Sequence, residues 1–297
     1  MTEALRGHLA MLCFSAVVAG SFSLGRMAVP FIAPEAFNAV RFLVAAVVVM
    51  AVMLARGGAS RAAWKAPWRY VVLAGLFAFY FVTMFTGLET AEPVSLAAVF
   101  TLSPILAGGF GWLLMRQITT PRMALALSIG GAGALWVVFR GDLTALSAFR
   151  IGSGEVIYFW GCVAHALYVP MVRLLNRGEP ALVFNAGMLV AGACLMGIYA
   201  APEIMATDWL ALPGIVWITI VYTALAATSL TFALIRYSTM RLPSAKVMAY
   251  TYLTPCWVLI WEISLGHGTP PGRVLAGVAL TLVALVLLLK DEDPVAG

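Results

Sequence analysis

"FTLSPILAG" (residues 100–108) lies in the middle of a long apolar run, and "TYLTPCWVL" (251–259) repeats its form 151 residues later. Each proline lacks the amide hydrogen that a helix needs. Its ring also crowds the carbonyl four residues back, that of Phe100 for Pro104 and of Thr251 for Pro255. No charged residue flanks either proline to make up the loss. Two matching breaks in two matching apolar runs predict a duplicated helical chain that lies in lipid.

Composition supports the lipid setting. Hydrophobic residues make up 63% of the 297-residue chain and charged residues 10%, against roughly 45–50% and about 25% in soluble proteins. A soluble domain of this length cannot hide so much apolar side chain. Runs of about twenty apolar residues, enough to cross a hydrocarbon core of roughly 30 Å, fall near 8–27, 36–55, 69–88, 93–115, 121–139, 154–174, 181–200, 211–235, 243–265 and 272–290. The seams are short and carry Gly, Pro and charge, as in "NRGEP" (176–180) and "LGHGTPPG" (265–272). The first run, with Arg6 ahead of it and "VVAGS" (17–21) within it, also has the form of a cleavable secretory signal. It is read here as a retained helix, since its loss would unbalance the two halves.

Basic residues favour the cytoplasmic side of a membrane. With both termini inside, thirteen Lys and Arg fall on inner segments, including Arg6, Lys65, Arg69, Arg177, Arg236 and Lys290. Four (Arg26, Arg140, Arg150 and Arg273) fall outside, and Arg41 lies within a span. The net charge of +5 is therefore a topology signal and gives no reason to invoke nucleic acid. Cys13, Cys162, Cys194 and Cys256 fall in different spans with no metal or redox spacing. No metal or cofactor is expected.

Aligning Pro104 with Pro255 brings Leu102 onto Leu253, Ser103 onto Thr254 and Arg122 onto Arg273. Earlier in each half, "FNAVRFLVA" (37–45) echoes "FNAGMLVA" (184–191) at nearly the same offset. Five spans are an odd number, so a second copy enters the membrane upside down. The expected fold is an all-α integral membrane protein of ten transmembrane helices in two inverted five-helix repeats. The repeats are residues 1–140 and 151–290, followed by a cytoplasmic tail, 291–297. Inverted repeats of this kind rock about a midplane site in secondary transporters. Broken helices at that depth are tolerated where they are buried in protein or line a water-filled cavity. Pro104 and Pro255 are equally consistent with kinks that only shape packing.

Several of these residues carry a family resemblance. "RF" in the second span (Arg41, Phe42), "LSP" and "LTP" in the fourth and ninth, "TTPR" (119–122) and the five-plus-five layout resemble the EamA family of the drug/metabolite transporter superfamily. The resemblance implies a ten-helix bacterial inner-membrane exporter. Its central cavity would be lined by helices one, three, four, six, eight and nine, with the fifth and tenth packed at the periphery. Aromatic content and length are most similar to those of a bacterial amino-acid exporter within that family. The chain departs from the family where Gly-Glu commonly stands thirteen residues after each proline: Gln117 and Gly268 occupy those places.

Near the midplane no Asp, Glu, Lys or Arg is found, so facilitation or exchange is expected rather than tight proton coupling. His165 is the mid-span exception, with a side chain that titrates near neutral pH. Helical spacing puts Tyr158, Gly161, His165 and Tyr168 on one stripe of the sixth span. Tyr80 and Thr83 share a stripe of the third, Tyr222 and Ser229 of the eighth, and Tyr250, Thr254 and Trp257 of the ninth. The candidate substrate-binding set is Tyr80, Thr83, Ser103, Tyr158, His165, Tyr168, Tyr222, Tyr250 and Trp257, beside the breaks at Pro104 and Pro255. The same stripes also suit interhelical hydrogen bonding that glues a bundle. Arg41 and Asn38 lie one turn apart, where Arg41 could steer a carboxylate or simply tie two helices together.

An aromatic, hydroxylic, uncharged lining suits a small amphipathic solute, and best an aromatic or bulky neutral amino acid. A multidrug or other metabolite exporter is the alternative. An integral-membrane enzyme has little support, because His8, His165 and His267 are scattered and no acid–base constellation appears at either face. The expected partners are the solute and membrane lipid, and the expected state is a monomer or weak dimer.

Overall fold

The computed structural model describes residues 3–58, 64–118, 120–139, 141–144, 151–268 and 272–289. The tail 291–297 and the basic residues Arg61, Arg140, Arg150 and Lys290 lie outside them. All regular structure among the described residues is helical, with no strand. The helices are α1 (Glu3–Ala28), α2 (Pro34–Ala55), α3 (Trp68–Leu88), α4 (Pro93–Phe100), α5 (Ser103–Met115), α6 (Pro121–Val138), α7 (Ser153–Leu175) and α8 (Ala181–Tyr199). After them come α9 (Ala201–Ala206), α10 (Gly214–Ala224), α11 (Thr231–Thr239), α12 (Ser244–Ala249), α13 (Thr254–Ser264) and α14 (Gly272–Leu289).

Proline opens α2, α4 and α6 at the first helical turn, where a missing amide costs nothing. At α6 the hydroxyl of Thr120 accepts from the Met123 amide at 3.1 Å and so caps the helix. Arg116 closes α5 in the left-handed region, with φ 53°. Among the described residues, eight helical runs are long and apolar enough to cross a membrane: α1, α2, α3, Pro93–Met115, α6, α7, α8 and Gly214–Thr239. Large apolar side chains such as Leu54, Trp112, Leu113 and Leu125 stay exposed on their outward faces, as lipid contact requires.

The expected fourth and ninth spans are not continuous helices. The fourth ends at Phe100 and restarts at Ser103. The ninth runs as α12, a 3-10 turn over Tyr250–Leu253, and α13. Both breaks precede the proline by one turn, and each proline becomes the second residue of the helix that follows. The ring's clash with the carbonyl four back explains that placing. A third irregularity was not expected: a π-helical segment, Leu225–Leu230, joins α10 to α11.

In packing, α3 lies on α7, and α1 on α10 and α11. The pairs α2–α8 and α6–α14 are close neighbours, and the two broken segments meet through α5–α12 and α4–α13. The α6–α14 contact runs through the small-residue stretch "GGAGAL" (130–135). A Cβ on Gly133 would stand 2.7 Å from the Gly277 carbonyl, and one on Gly277 would stand 2.7 Å from the Gly133 carbonyl. Only glycine lets these backbones come so near.

Candidate functional site: an aromatic box around His165

His165 sits on α7, fully buried, at the meeting of α1, α3, α4 and α7. Its ring centroid lies 4.5 Å from that of Tyr80, 5.2 Å from Phe77, 5.4 Å from Phe100, 6.1 Å from Tyr168 and 6.3 Å from Phe14. Neither imidazole nitrogen has a hydrogen-bond partner. Leaving a buried donor or acceptor unmet costs about 1–3 kcal/mol, so an imidazole here is an expensive choice for packing alone. A neutral imidazole carries one donor and one acceptor and can exchange them between its nitrogens. It can therefore meet either kind of polar group on a solute whose apolar part stacks on the surrounding rings.

Two turns along α7, the Tyr158 hydroxyl donates to that of Tyr80 at 3.1 Å. The Tyr168 hydroxyl reaches the Met188 sulfur at 3.8 Å. Ser103, the residue before Pro104, is fully buried beside the Cys162 thiol, and Thr254, before Pro255, is fully buried with no partner for its hydroxyl. Thr83 differs: its hydroxyl bonds the carbonyls of Phe79 and Tyr80 in its own helix, at 2.8 and 3.0 Å, and its side chain packs on Gly161.

Of the residues singled out by spacing, Tyr80, Tyr158, His165 and Tyr168 come together in one aromatic cluster. Tyr222, Tyr250 and Trp257 do not join it. They lie against α1 instead: the Tyr222 hydroxyl bonds the Val17 carbonyl at 2.7 Å, Tyr250 faces the His8 ring at 6.0 Å, and the Trp257 indole bonds the Ser15 hydroxyl at 3.2 Å. Spacing did not reveal Phe14, Phe77 and Phe100, because a phenylalanine facing the box and one facing lipid look alike in an apolar run. Gln117, standing where the family commonly has glutamate, accepts from the Ser244 amide at 3.1 Å and so ties the end of α5 to the start of α12.

A cavity of about 410 Å³ opens elsewhere, between the turn after α1 and the connection from α8 to α10. Phe31, Ile32, Glu203, Asp208 and Leu212 line it. Among the described residues no three or more His, Cys, Asp or Glu groups gather to hold a metal ion.

A multi-pass helical protein that keeps polar side chains in an aromatic interior has the build of a membrane transporter. The chain belongs to the EamA-like transporter family, whose model matches it twice, over residues 5–139 and 152–290. An uncharacterized transporter of Bacillus subtilis (strain 168), YyaM, is 25% identical over 287 residues, covering 95% of this chain and 92% of the relative. A protein known from a crystal structure superposes with a TM-score of 0.71 at 21% identity, covering 96% of this chain and 95% of its own, a likeness that bears on fold alone.

Proposed function

We propose that the chain exports aromatic or bulky neutral amino acids across the bacterial inner membrane by alternating access, with the His165 box as the transport site. The observation that carries this reading is the buried imidazole with both nitrogens unmet inside a cage of rings. Tyr80, Ser103, Tyr158 and Tyr168 complete the site, while Tyr222, Tyr250 and Trp257 line the approach along α1, with Thr83 supporting the α3–α7 seam. The likeness of its aromatic content and length to those of the amino-acid exporter YddG supports the choice of solute.

The mechanism rests on ten membrane segments in two inverted repeats, with both termini cytoplasmic. The packing supports that arrangement. Exchanging the halves turns the α3–α7 contact into the contact of α1 with α10 and α11. The same exchange returns α2–α8, α6–α14 and the contact between the two broken segments to themselves. In this orientation the 410 Å³ cavity lies on the outer side. The breaks at Pro104 and Pro255 are then the points at which each half bends as the site changes sides.

Reconstitution in liposomes tests the reading with labelled amino acids, nucleosides and cationic drugs. Saturable flux of phenylalanine or a similar solute, insensitive to membrane potential and reduced by His165→Ala or Tyr250→Ala, is the expected result. Movement of a charged drug or a phosphate ester with none of the amino acids would overturn it.

A further inference from the structure

Arg41 lies on α2, and no part of it is exposed. Its Nε donates to Thr228 Oγ1 at 2.7 Å, and one terminal nitrogen donates to the Ala227 carbonyl at 3.1 Å. The other terminal nitrogen reaches Asn38 Oδ1 only at 3.5 Å. The guanidinium carbon stands 3.4 Å from the centre of the Phe81 ring. Among the described residues no carboxylate forms an ion pair with it.

An arginine keeps its charge in any protein setting, and an unpaired charge within a membrane is costly and usually functional. The ring face and two good acceptors repay part of that cost. Five N–H donors face three acceptors, one of them only at 3.5 Å, so the terminal fork has donors to spare, and that fork has the shape of a carboxylate's partner.

Both close acceptors belong to the π segment Leu225–Leu230, and π turns concentrate at functional sites. A second polar group meets the same segment. Asn185 of α8 donates to the Ser229 carbonyl at 3.4 Å, while its own carbonyl oxygen is buried with no partner. That oxygen suits an ammonium group. Phe81 in turn stands 4.7 Å from Phe77 and 4.9 Å from Tyr80, the two rings nearest His165. The charge is therefore one ring away from the box.

From this arrangement we infer that Arg41 recognises the carboxylate of the transported solute, with Phe81 as the cover that yields to it. The inference rests on the transport site proposed above. It also sets a stoichiometry. In the echo between "FNAVRFLVA" and "FNAGMLVA", Asn38 falls on Asn185 but Arg41 falls on Met188. One half carries the charge and the other does not, so the site takes a single anionic group.

The test compares phenylalanine, phenethylamine and phenylpyruvate in liposomes bearing wild type, R41Q or R41K, with thermal unfolding as the check on folding. In wild type the KM of the amine should exceed that of phenylalanine at least tenfold. That ratio should collapse toward one in R41Q and fall part of the way in R41K, which keeps the charge but loses the fork. Equal KM values for acid and amine in wild type would overturn the inference without any variant. So would a ratio left intact in R41K or R41Q. If phenylpyruvate moves, phenylalanine does not, and R41Q abolishes the movement, the carboxylate site stands and the amino-acid reading falls. If none of the three moves, both fall.

Discussion

The imidazole of His165 stacks on the ring of Phe14, with centroids 6.3 Å apart and planes inclined by 16°. They stand on α1 and α7, the first helices of the two family matches. Those matches begin at residues 5 and 152, an interval of 147 that also separates Asn38 from Asn185. At that interval Phe14 falls on Gly161 and His165 on Val18, so the two rings are neighbours across the halves and not two copies of one position. The contact sets phenylalanine on one half against a group able to hydrogen-bond on the other. On the inverted-repeat reading, a site between the first helices of the two halves is reached from either face as they rock.

Replacing His165 by phenylalanine separates binding from packing. The box is already aromatic, and the imidazole's two unmet nitrogens carry a desolvation cost of about 1–3 kcal/mol each. His165→Phe should unfold at the wild-type temperature or higher, while saturable flux of aromatic amino acid falls at least tenfold. Wild-type kinetics in the variant would return His165 to a packing role.

Glu179 offers a pH test at the opposite end of α7 from its N-terminus. Arg69 of α3 pairs with it at 2.5 Å, both side chains buried, and Arg236 of α11 bonds its carbonyl and, at 3.2 Å, Asn176 Oδ1. Burial by itself would raise the carboxyl's pKa, but the bonds from Arg69 and from the Arg177 amide outweigh it and hold the pKa below its ordinary value. A lowered folded pKa gives stability that is present above the unfolded value of about 4.3 and is lost as pH falls through the folded value. Glu179→Gln should therefore unfold at lower temperature than wild type at pH 7, by breaking a buried pair worth about 3–5 kcal/mol when one partner is removed. The gap should close as the solution is acidified. A gap of constant size across the titration would mean the pair contributes nothing through its charge.

How much of this was legible in the sequence follows from what each feature looks like in one dimension. The helix breaks were visible, because only proline removes an amide and adds a clash at a fixed distance. The stripe of Tyr158, His165 and Tyr168 was visible because polar-tipped rings at helical spacing stand out among aliphatic neighbours. Phe14, Phe77 and Phe100 carry no such mark. The π segment was hidden altogether: "LAATSL" (225–230) contains neither Gly nor Pro. Its widened turn accompanies acceptors from Ala227 and Thr228 that hold Arg41, a residue 186 positions earlier than Ala227. Tyr222 reads as a lining residue from its place nearer the interior, and the bond from its hydroxyl to the Val17 carbonyl was not legible beforehand. Spacing along one helix does not say which neighbouring helix takes the hydrogen bond.

The α6–α14 seam predicts a contrast between two glycines. Gly133 meets the Gly277 carbonyl, whereas a Cβ on Gly197 of α8 meets nothing within 4 Å. Gly133→Leu should destabilise the protein by about 1–3 kcal/mol, as overpacking does. Gly197→Leu should leave the unfolding temperature in detergent unchanged. Equal effects at the two sites would show that α6 and α14 separate readily and that their closeness is not required.

The last expectation concerns the breaks themselves. Pro104 stands second in α5, so Pro104→Ala restores an amide that can bond the Phe100 carbonyl and carry the helix through from α4. Proline in the first turn of a helix costs little, so its replacement should leave the unfolding temperature near that of wild type. Hydrogen exchange over residues 100–106 should slow. If the break is where the half bends, kcat falls while KM changes little, because bending is a step of turnover and the solute touches other groups. Pro255→Ala should act in the same sense on the other half, through the 3-10 turn at Tyr250–Leu253. Slower exchange with unchanged turnover in both variants would mean that the prolines shape packing and nothing more.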